Sequence, residues 1–316
     1  MRYDIEADWI LLNTCNFRCE YCFIPQEMLG EKIRVYGTPD EWGAAFDATG
    51  RTWLLHLTGG EPSVYPDFLR LCERLTRRHF ISLNSNLSQA SFLPFAGLID
   101  PSRVSFINAG FHMEERDRRS GPAAFLRNAD LLMTRGFPLM ISLVATPRAL
   151  ERFEDAVEAL SPLGLVPIPK LFRGVIDGKR YPDSYSATDR LLFMRHARRA
   201  AKWYQPMLAK MAERPTLDIF RDEEFLDVEP TFGGQSCDAG SRFVRIEPSG
   251  DVMRCGPPHL GNLLDGSFRP MGGAASCDTS FCYYFCEKYT ASAREASRRS
   301  ASLSYPAAFK RLLAWR

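Results

Sequence analysis

Short apolar runs alternate with helix-period stretches through the first two-thirds of this 316-residue chain, and that alternation constrains the fold more than any other feature. A strand that reads as a continuous apolar run is covered on both faces. When an amphipathic helix separates each run from the next, repeated βα units on a parallel sheet are the natural packing. Strands are expected at 9–13, 52–57, 80–84, 103–108, 139–145 and 165–169, with the clearest helices at 39–48, 66–78, 123–135 and 150–160. Six such units give an α/β fold, an open partial (β/α)6 barrel of TIM type. A polar stretch at 174–188 leaves the sixth strand, and a long helical pattern runs from Asp189 to about residue 213. Past it the pattern changes: "FVRIEPSGDVMRC" reads as two strands around a Pro-Ser-Gly turn. A domain boundary is therefore expected between residues 214 and 232, giving a barrel over 1–213 and a small C-terminal unit over 214–316. That unit would be a β-hairpin plus a partly helical tail.

Two motifs fall where the strands end, which is where parallel sheets bind ligands. Cys15, Cys19 and Cys22, spaced C-x3-C-x2-C, follow the first strand, and Thr58-Gly59-Gly60-Glu61-Pro62 follows the second. Thiolates are the usual ligands of iron–sulfur clusters, and a cubane has four corners, so three cysteines on one loop leave one iron for a distant ligand or a small molecule. The C-x2-C step is also a zinc spacing. A glycine pair lets the backbone come close to a ligand, and it also marks ordinary turns. Glu61 beside it is placed to meet an ammonium group.

The segments "LLNTCNFRCEYCF" and "LHLTGGEPSVYPDF" resemble the radical SAM superfamily, in which this cysteine spacing carries an aromatic residue, here Tyr21, before the last cysteine. The resemblance implies a [4Fe-4S] cluster on Cys15, Cys19 and Cys22 with S-adenosylmethionine (SAM) on the open iron. It also implies that Gly59, Gly60, Glu61 and Pro62 bind the methionine amino group. Asn84, Ser85, Asn86, Asn108 and Ser142 would offer hydrogen bonds to the ribose and carboxylate, although polar caps of strands explain them as well. The implied chemistry is reductive cleavage of SAM to methionine and a 5′-deoxyadenosyl radical, with an electron donor such as flavodoxin or ferredoxin as partner.

Five of the nine cysteines lie in the last part of the chain: Cys237, Cys255, Cys277, Cys282 and Cys286. The segment "CDAGSRFVRIEPSGDVMRC", with its Gly250-x4-Cys255 step, resembles the SPASM and twitch extensions of radical SAM enzymes. The shorter twitch type carries one auxiliary [4Fe-4S] cluster. A closed cluster takes four of these cysteines, so one thiol is spare, either a small buried hydrophobe or a chemical group. Cys72, within an apolar helix face, is expected to be core.

A net charge of +2 with acids and bases intermixed implies no nucleic-acid or membrane-surface partner. The N-terminal residues lack a secretory or transit pattern and no run is long enough to span a membrane, so a cytoplasmic protein is expected. In that compartment the cysteines read as ligands or reactive thiols. His112, Glu114 and Glu115 on one rim loop, with Lys170 and Arg173 after the sixth strand, are candidates to hold a hydroxylated substrate. Only fourteen residues precede Cys15, which leaves no room for a leader-binding domain and favours a small carbohydrate-like substrate. Within the superfamily the architecture resembles carbohydrate epimerases of antibiotic pathways, of the neomycin or avilamycin type. In that reading the spare thiol returns a hydrogen atom to the substrate radical. The alternatives are twitch-bearing dehydrogenases of amino-cyclitol or sugar alcohols, and enzymes that modify peptides.

Overall fold

Ile5, Ala7, Trp9 and Leu11 point to one side of the first strand and Glu6, Asp8 and Ile10 to the other, so this strand has a purely apolar face and a mixed one. The apolar face packs under helices. Trp9 lies 4.7 Å from Trp42 and 5.1 Å from Phe46, centroid to centroid, both on the helix Pro39–Ala48. In this computed structural model, which describes residues 1–119, 121–210, 222, 226 and 232–278, the strand is β1, Ile5–Leu12. It begins four residues earlier than the apolar run suggests. Glu6 and Asp8 interrupt the run, but Glu6 is buried on the mixed face and pairs with His56 Nε2 at 2.7 Å.

The remaining strands are β2 Trp53–Gly59, β3 Phe80–Ser85, β4 Val104–Gly110, β5 Leu139–Val144, β6 Ile168–Lys170, β7 Gly174–Ile176, β8 Lys179–Tyr181, β9 Ser236–Cys237, β10 Phe243–Ile246, β11 Asp251–Met253, β12 His259–Asn262 and β13 Ala275–Ser276. β1 to β6 are parallel in sequence order, the expected open partial barrel. The helices are α1 Gln26–Leu29, α2 Pro39–Ala48, α3 Phe68–Thr76, α4 Phe92–Leu98, α5 Met113–Asp117, α6 Ala123–Thr134, α7 Pro147–Glu151, α8 Phe153–Leu160 and α9 Ala187–Lys210. α2 matches its expected bounds because Thr38 and Glu41 form a reciprocal capping box ahead of Pro39. The single helix expected at 150–160 is instead α7 and α8, broken at Arg152.

The inner face is closed at one end by α9. Tyr204 donates to the Val166 carbonyl (3.0 Å) and accepts from the Ile141 amide (3.2 Å), inside a cluster with Phe106, Met140, Ile168 and Ala200. The hairpin of β10 and β11 forms as the sequence suggests, yet β10 also pairs in parallel with β1. The sheet therefore runs without interruption as β12-β11-β10-β1-β2-β3-β4-β5-β6. The tail expected to be partly helical lies outside the described residues. Among the described residues no helix is long and apolar enough to cross a membrane.

Candidate active site

The loop after β1 carries Cys15, Cys19 and Cys22, and it is stitched to its neighbours by bonds to its backbone. Cys15 N–H donates to Leu29 O (2.9 Å), and Gln26 Nε2 donates to Cys19 O (2.8 Å). Burial pushes the Cys15 thiol up to about 11 and the Cys19 thiol to about 12, and raises Cys22 as well. The sulfurs are thus protonated at neutral pH until a metal displaces the protons. The Phe17 amide points at Cys15 Sγ from 3.3 Å, a donor already aimed at a thiolate. Among the described residues no three Cys, His, Asp or Glu side chains converge as on a single metal ion. Thiol chemistry, a shared loop and an aimed amide fit a [4Fe-4S] cluster.

The glycine pair has a different reason from the one its sequence suggests. A Cβ on Gly59, whose φ is +126°, would lie 2.1 Å from Leu12 O, and one on Gly60 would lie 2.1 Å from Thr14 O. The space is filled by the chain entering the cysteine loop, to which Gly60 N–H and Glu61 N–H donate at Leu12 O (2.8 Å) and Thr14 O (3.0 Å). The two motifs are thus locked together by backbone. Glu61 is buried, and burial raises its carboxyl above the usual range. Its Oε1 accepts from the Ser63 amide (3.0 Å), the Ser63 hydroxyl and Ser85 Oγ (2.6 Å), and its Oε2 from the Asn86 amide (2.7 Å). Here its carboxylate ties the end of β2 to the end of β3.

Of the other candidates for SAM, Asn86 is engaged on both sides. Its Nδ2 donates to Asn16 Oδ1 (2.8 Å) and its Oδ1 accepts from the Ser88 amide (3.0 Å). Asn108 Nδ2 donates to Asn84 Oδ1 (2.9 Å), while Asn108 Oδ1 is buried without a partner on the inner face. Ser142 is buried at the end of β5. An orphaned acceptor there is what a ligand hydroxyl or amine would satisfy.

The rim loop carrying His112, Glu114 and Glu115 closes on the cysteine loop. Tyr21 hydroxyl bonds His112 Nδ1 at 2.7 Å, and burial, with Arg116 nearby, pushes His112 down to about 3, so it is neutral. Buried Glu115 accepts from the Arg18 amide at 2.9 Å and pairs with Arg118 and Arg119. Glu114 stands half-buried on the first turn of α5. Lys170 pairs with Asp222 at 2.9 Å, and Arg173 is half-buried beyond β6.

Sequence reasoning missed Arg116. This buried guanidinium donates to Asn86 O (2.6 Å) and Gly110 O (3.1 Å), and lies over the rings of Phe17, Phe111 and Phe125. Asn16, which bridges Asn86 and Ser88, was missed as well. Each of these polar residues sits in a segment without a periodic signal, and only its partners reveal its purpose.

In the C-terminal part, Cys237 and Cys277 are buried in one cluster with Ala239 and Phe243, and Cys255 packs against it. β9 pairs with β13 so that Cys237 faces Ala275, and Cys277 N–H donates to Gln235 O at 2.8 Å. Buried Arg254 donates to Ala239 O (3.1 Å), Ala275 O (3.1 Å) and Asp278 (2.8 Å), fixing the chain beside Cys255. Cys282 and Cys286 lie outside the described residues. Cys72 is fully buried in the core.

Residues 9–160 match the family model described as the radical SAM superfamily. A curated relative, the PqqA peptide cyclase of Granulibacter bethesdensis, is 28% identical over 166 residues, which span 49% of this chain and 43% of the cyclase. The match thus takes in less than half of that relative's length. Among solved structures, anSMEcpe with bound AdoMet and the Cp18Cys peptide superposes with a TM-score of 0.55 at 17% identity, covering 83% of this chain and 78% of that one. Streptococcus suis SuiB bound to the precursor peptide SuiA gives 0.53 at 15% identity, covering 84% and 65%. At these identities the likeness is one of fold.

Proposed function

We propose that the chain, whose residues 9–160 match the radical SAM superfamily, is an enzyme that modifies peptides, removing a hydrogen atom from a residue held on the inner face of the sheet. When bound, SAM and the [4Fe-4S] cluster supply the radical that abstracts this hydrogen. Cys15, Cys19 and Cys22 would hold three irons. Asn84 and Asn108 would receive polar groups of SAM through Asn108 Oδ1, which is buried without a partner. Neutral His112, bonded to Tyr21, keeps an uncharged wall beside the loop. Cys237, Cys255 and Cys277, with one of Cys282 and Cys286, would hold the auxiliary cluster.

The observation that carries the peptide reading is the company the chain keeps: the curated relative is a peptide cyclase, and the two neighbours above were solved with peptides bound. The carbohydrate epimerase and the amino-cyclitol dehydrogenase find no such support. Both rested on the short segment before Cys15, and the epimerase also on a spare thiol; neither feature identifies a substrate.

The test is to incubate the anaerobically reconstituted enzyme with SAM, reductant and synthetic peptides encoded by the short reading frames beside its gene. A SAM-dependent mass change in one peptide is expected. If all peptides stay unchanged while a sugar or amino-cyclitol is inverted or loses two hydrogens, the peptide reading is wrong.

A further inference from the structure

A buried charge is rare without an opposite charge beside it, because taking an ion out of water costs more than hydrogen bonds to neutral groups return. Arg116 is such a charge. It is 3% exposed, and its Nε is shielded from water without a partner. Its Nη2 donates to two backbone carbonyls, Asn86 O just past β3 and Gly110 O at the end of β4, and neither carries a net charge. Among the described residues no carboxylate forms an ion pair with it. Glu115, next in sequence, is taken by Arg118 and Arg119. Glu61 accepts from the Asn86 amide while Arg116 donates to the Asn86 carbonyl, so the backbone of one residue stands between these two charges. Burial lowers Arg116 to about 10, which leaves it charged at neutral pH.

The guanidinium is held against the cysteine loop. Its Cζ lies 5.4 Å from the centre of the Phe17 ring, and the Phe17 amide points at Cys15 Sγ from 3.3 Å. Asn86, whose carbonyl holds Arg116, donates through Nδ2 to Asn16 Oδ1 at 2.8 Å. Arg116 is thus fixed to both Asn16 and Phe17, two of the three residues between Cys15 and Cys19. Phe111 and Phe125 cover it further, at 5.4 Å and 4.3 Å. These rings attract a cation by their faces, but they carry no net charge, and they keep away the water and salt that would screen it. Three thiolates bring negative charge to a four-iron cube, and each electron it accepts adds more. Net charge nearby is one of the quantities that set the potential of such a cluster.

We infer that Arg116 is the fixed counter-charge of the [4Fe-4S] cluster on Cys15, Cys19 and Cys22, raising its reduction potential so that a low-potential one-electron donor can reduce it. The donor loses one electron and the cluster gains it. No bond forms or breaks, and the guanidinium keeps its protons throughout. Arg116 acts here through its charge alone, touching neither SAM nor substrate. The inference holds whatever the substrate is, so it stands or falls separately from the peptide reading.

The experiment is a redox titration of the anaerobically reconstituted full chain, followed by electron paramagnetic resonance without SAM, on wild type, Arg116→Gln and Arg116→Lys. The signal followed is the one that SAM perturbs when added to a separate sample, since SAM would bind the open iron. Gln keeps an amide that can donate to the two carbonyls and loses the charge, whereas Lys keeps the charge and loses the fork. At a fixed potential the ratio of reduced to oxidised cluster should fall at least about tenfold in Arg116→Gln, a midpoint about 59 mV lower for one electron, and stay within about threefold of wild type in Arg116→Lys. Loss of the first cluster from Arg116→Gln alone would point the same way, because the Lys variant would show the loop intact. An unchanged ratio in Arg116→Gln would overturn the proposal, and weaker SAM binding by that variant would then give the charge to the SAM carboxylate instead. An equal fall in both variants, or loss of the first cluster from both, would make Arg116 a structural tie and overturn it as well.

Discussion

Gly60 shows how little room the junction of the two motifs allows. Its missing Cβ is replaced in space by the carbonyl of Thr14, so a methyl group there must push the cysteine loop away from β2. Gly60→Ala is expected to lose the first cluster while the second cysteine group keeps its own. Iron after anaerobic reconstitution should then fall from about eight to about four per chain. Gly97, on α4, faces open space, with nothing within 4 Å of where a methyl group would sit, and Gly97→Ala should leave iron content unchanged. A second single-residue effect concerns pH. His196 is buried, stacks on Phe153 at 3.8 Å, and has its pKa pushed down to about 4 by burial. The unfolded chain takes up a proton near pH 6.5 that the folded chain refuses, so stability falls as pH drops from 6.5 towards 4. His196→Phe keeps the stack and removes this loss. The variant should gain about 1.4 kcal/mol on the wild type between pH 8 and pH 5.5, read from denaturant melts at the two values. An equal pH response in both proteins would refute the assignment.

At the scale of elements, α9 is held against the inner end of the sheet by one hydroxyl with two buried backbone partners. Tyr204→Phe strands the Val166 carbonyl and the Ile141 amide, and should destabilise the fold by about 1–3 kcal/mol without changing the cysteine loops. Equal denaturant midpoints would contradict that account. The elements themselves were largely legible: the βα alternation and the hairpin around Pro248-Ser249-Gly250 are periodic signals of local origin, and both motifs end at the rim as strand order requires. What was not legible has physical causes. β1 begins at Ile5 because Glu6 finds His56 across the sheet, a long-range pairing that interrupts the local pattern. β7 and β8 were passed over as a polar stretch, although Asp177-Gly178 between them, both with positive φ, is a hairpin turn signal. The bonds of Glu115 to the Arg18 amide and of Arg116 to the Asn86 carbonyl have no periodic signature, because they are single contacts between distant segments.

For the whole molecule, the consequence that matters is continuity. By pairing with β1, β10 removes an exposed edge from the barrel and carries the second cysteine group to the same inner face that the first motif overlooks. One sheet thus carries the Asn84 and Asn108 pair on β3 and β4 and, through Phe243 on β10, packs against the second cysteine group. The central claim is that the loop of Cys15, Cys19 and Cys22 supports reductive cleavage of SAM. The direct measurement is 5′-deoxyadenosine formed by the reconstituted chain under strong reductant, compared with a triple Cys15→Ala, Cys19→Ala, Cys22→Ala variant. The account predicts product from the wild type and none above background from the variant, and SAM cleavage by the triple variant at a rate near wild type would contradict it.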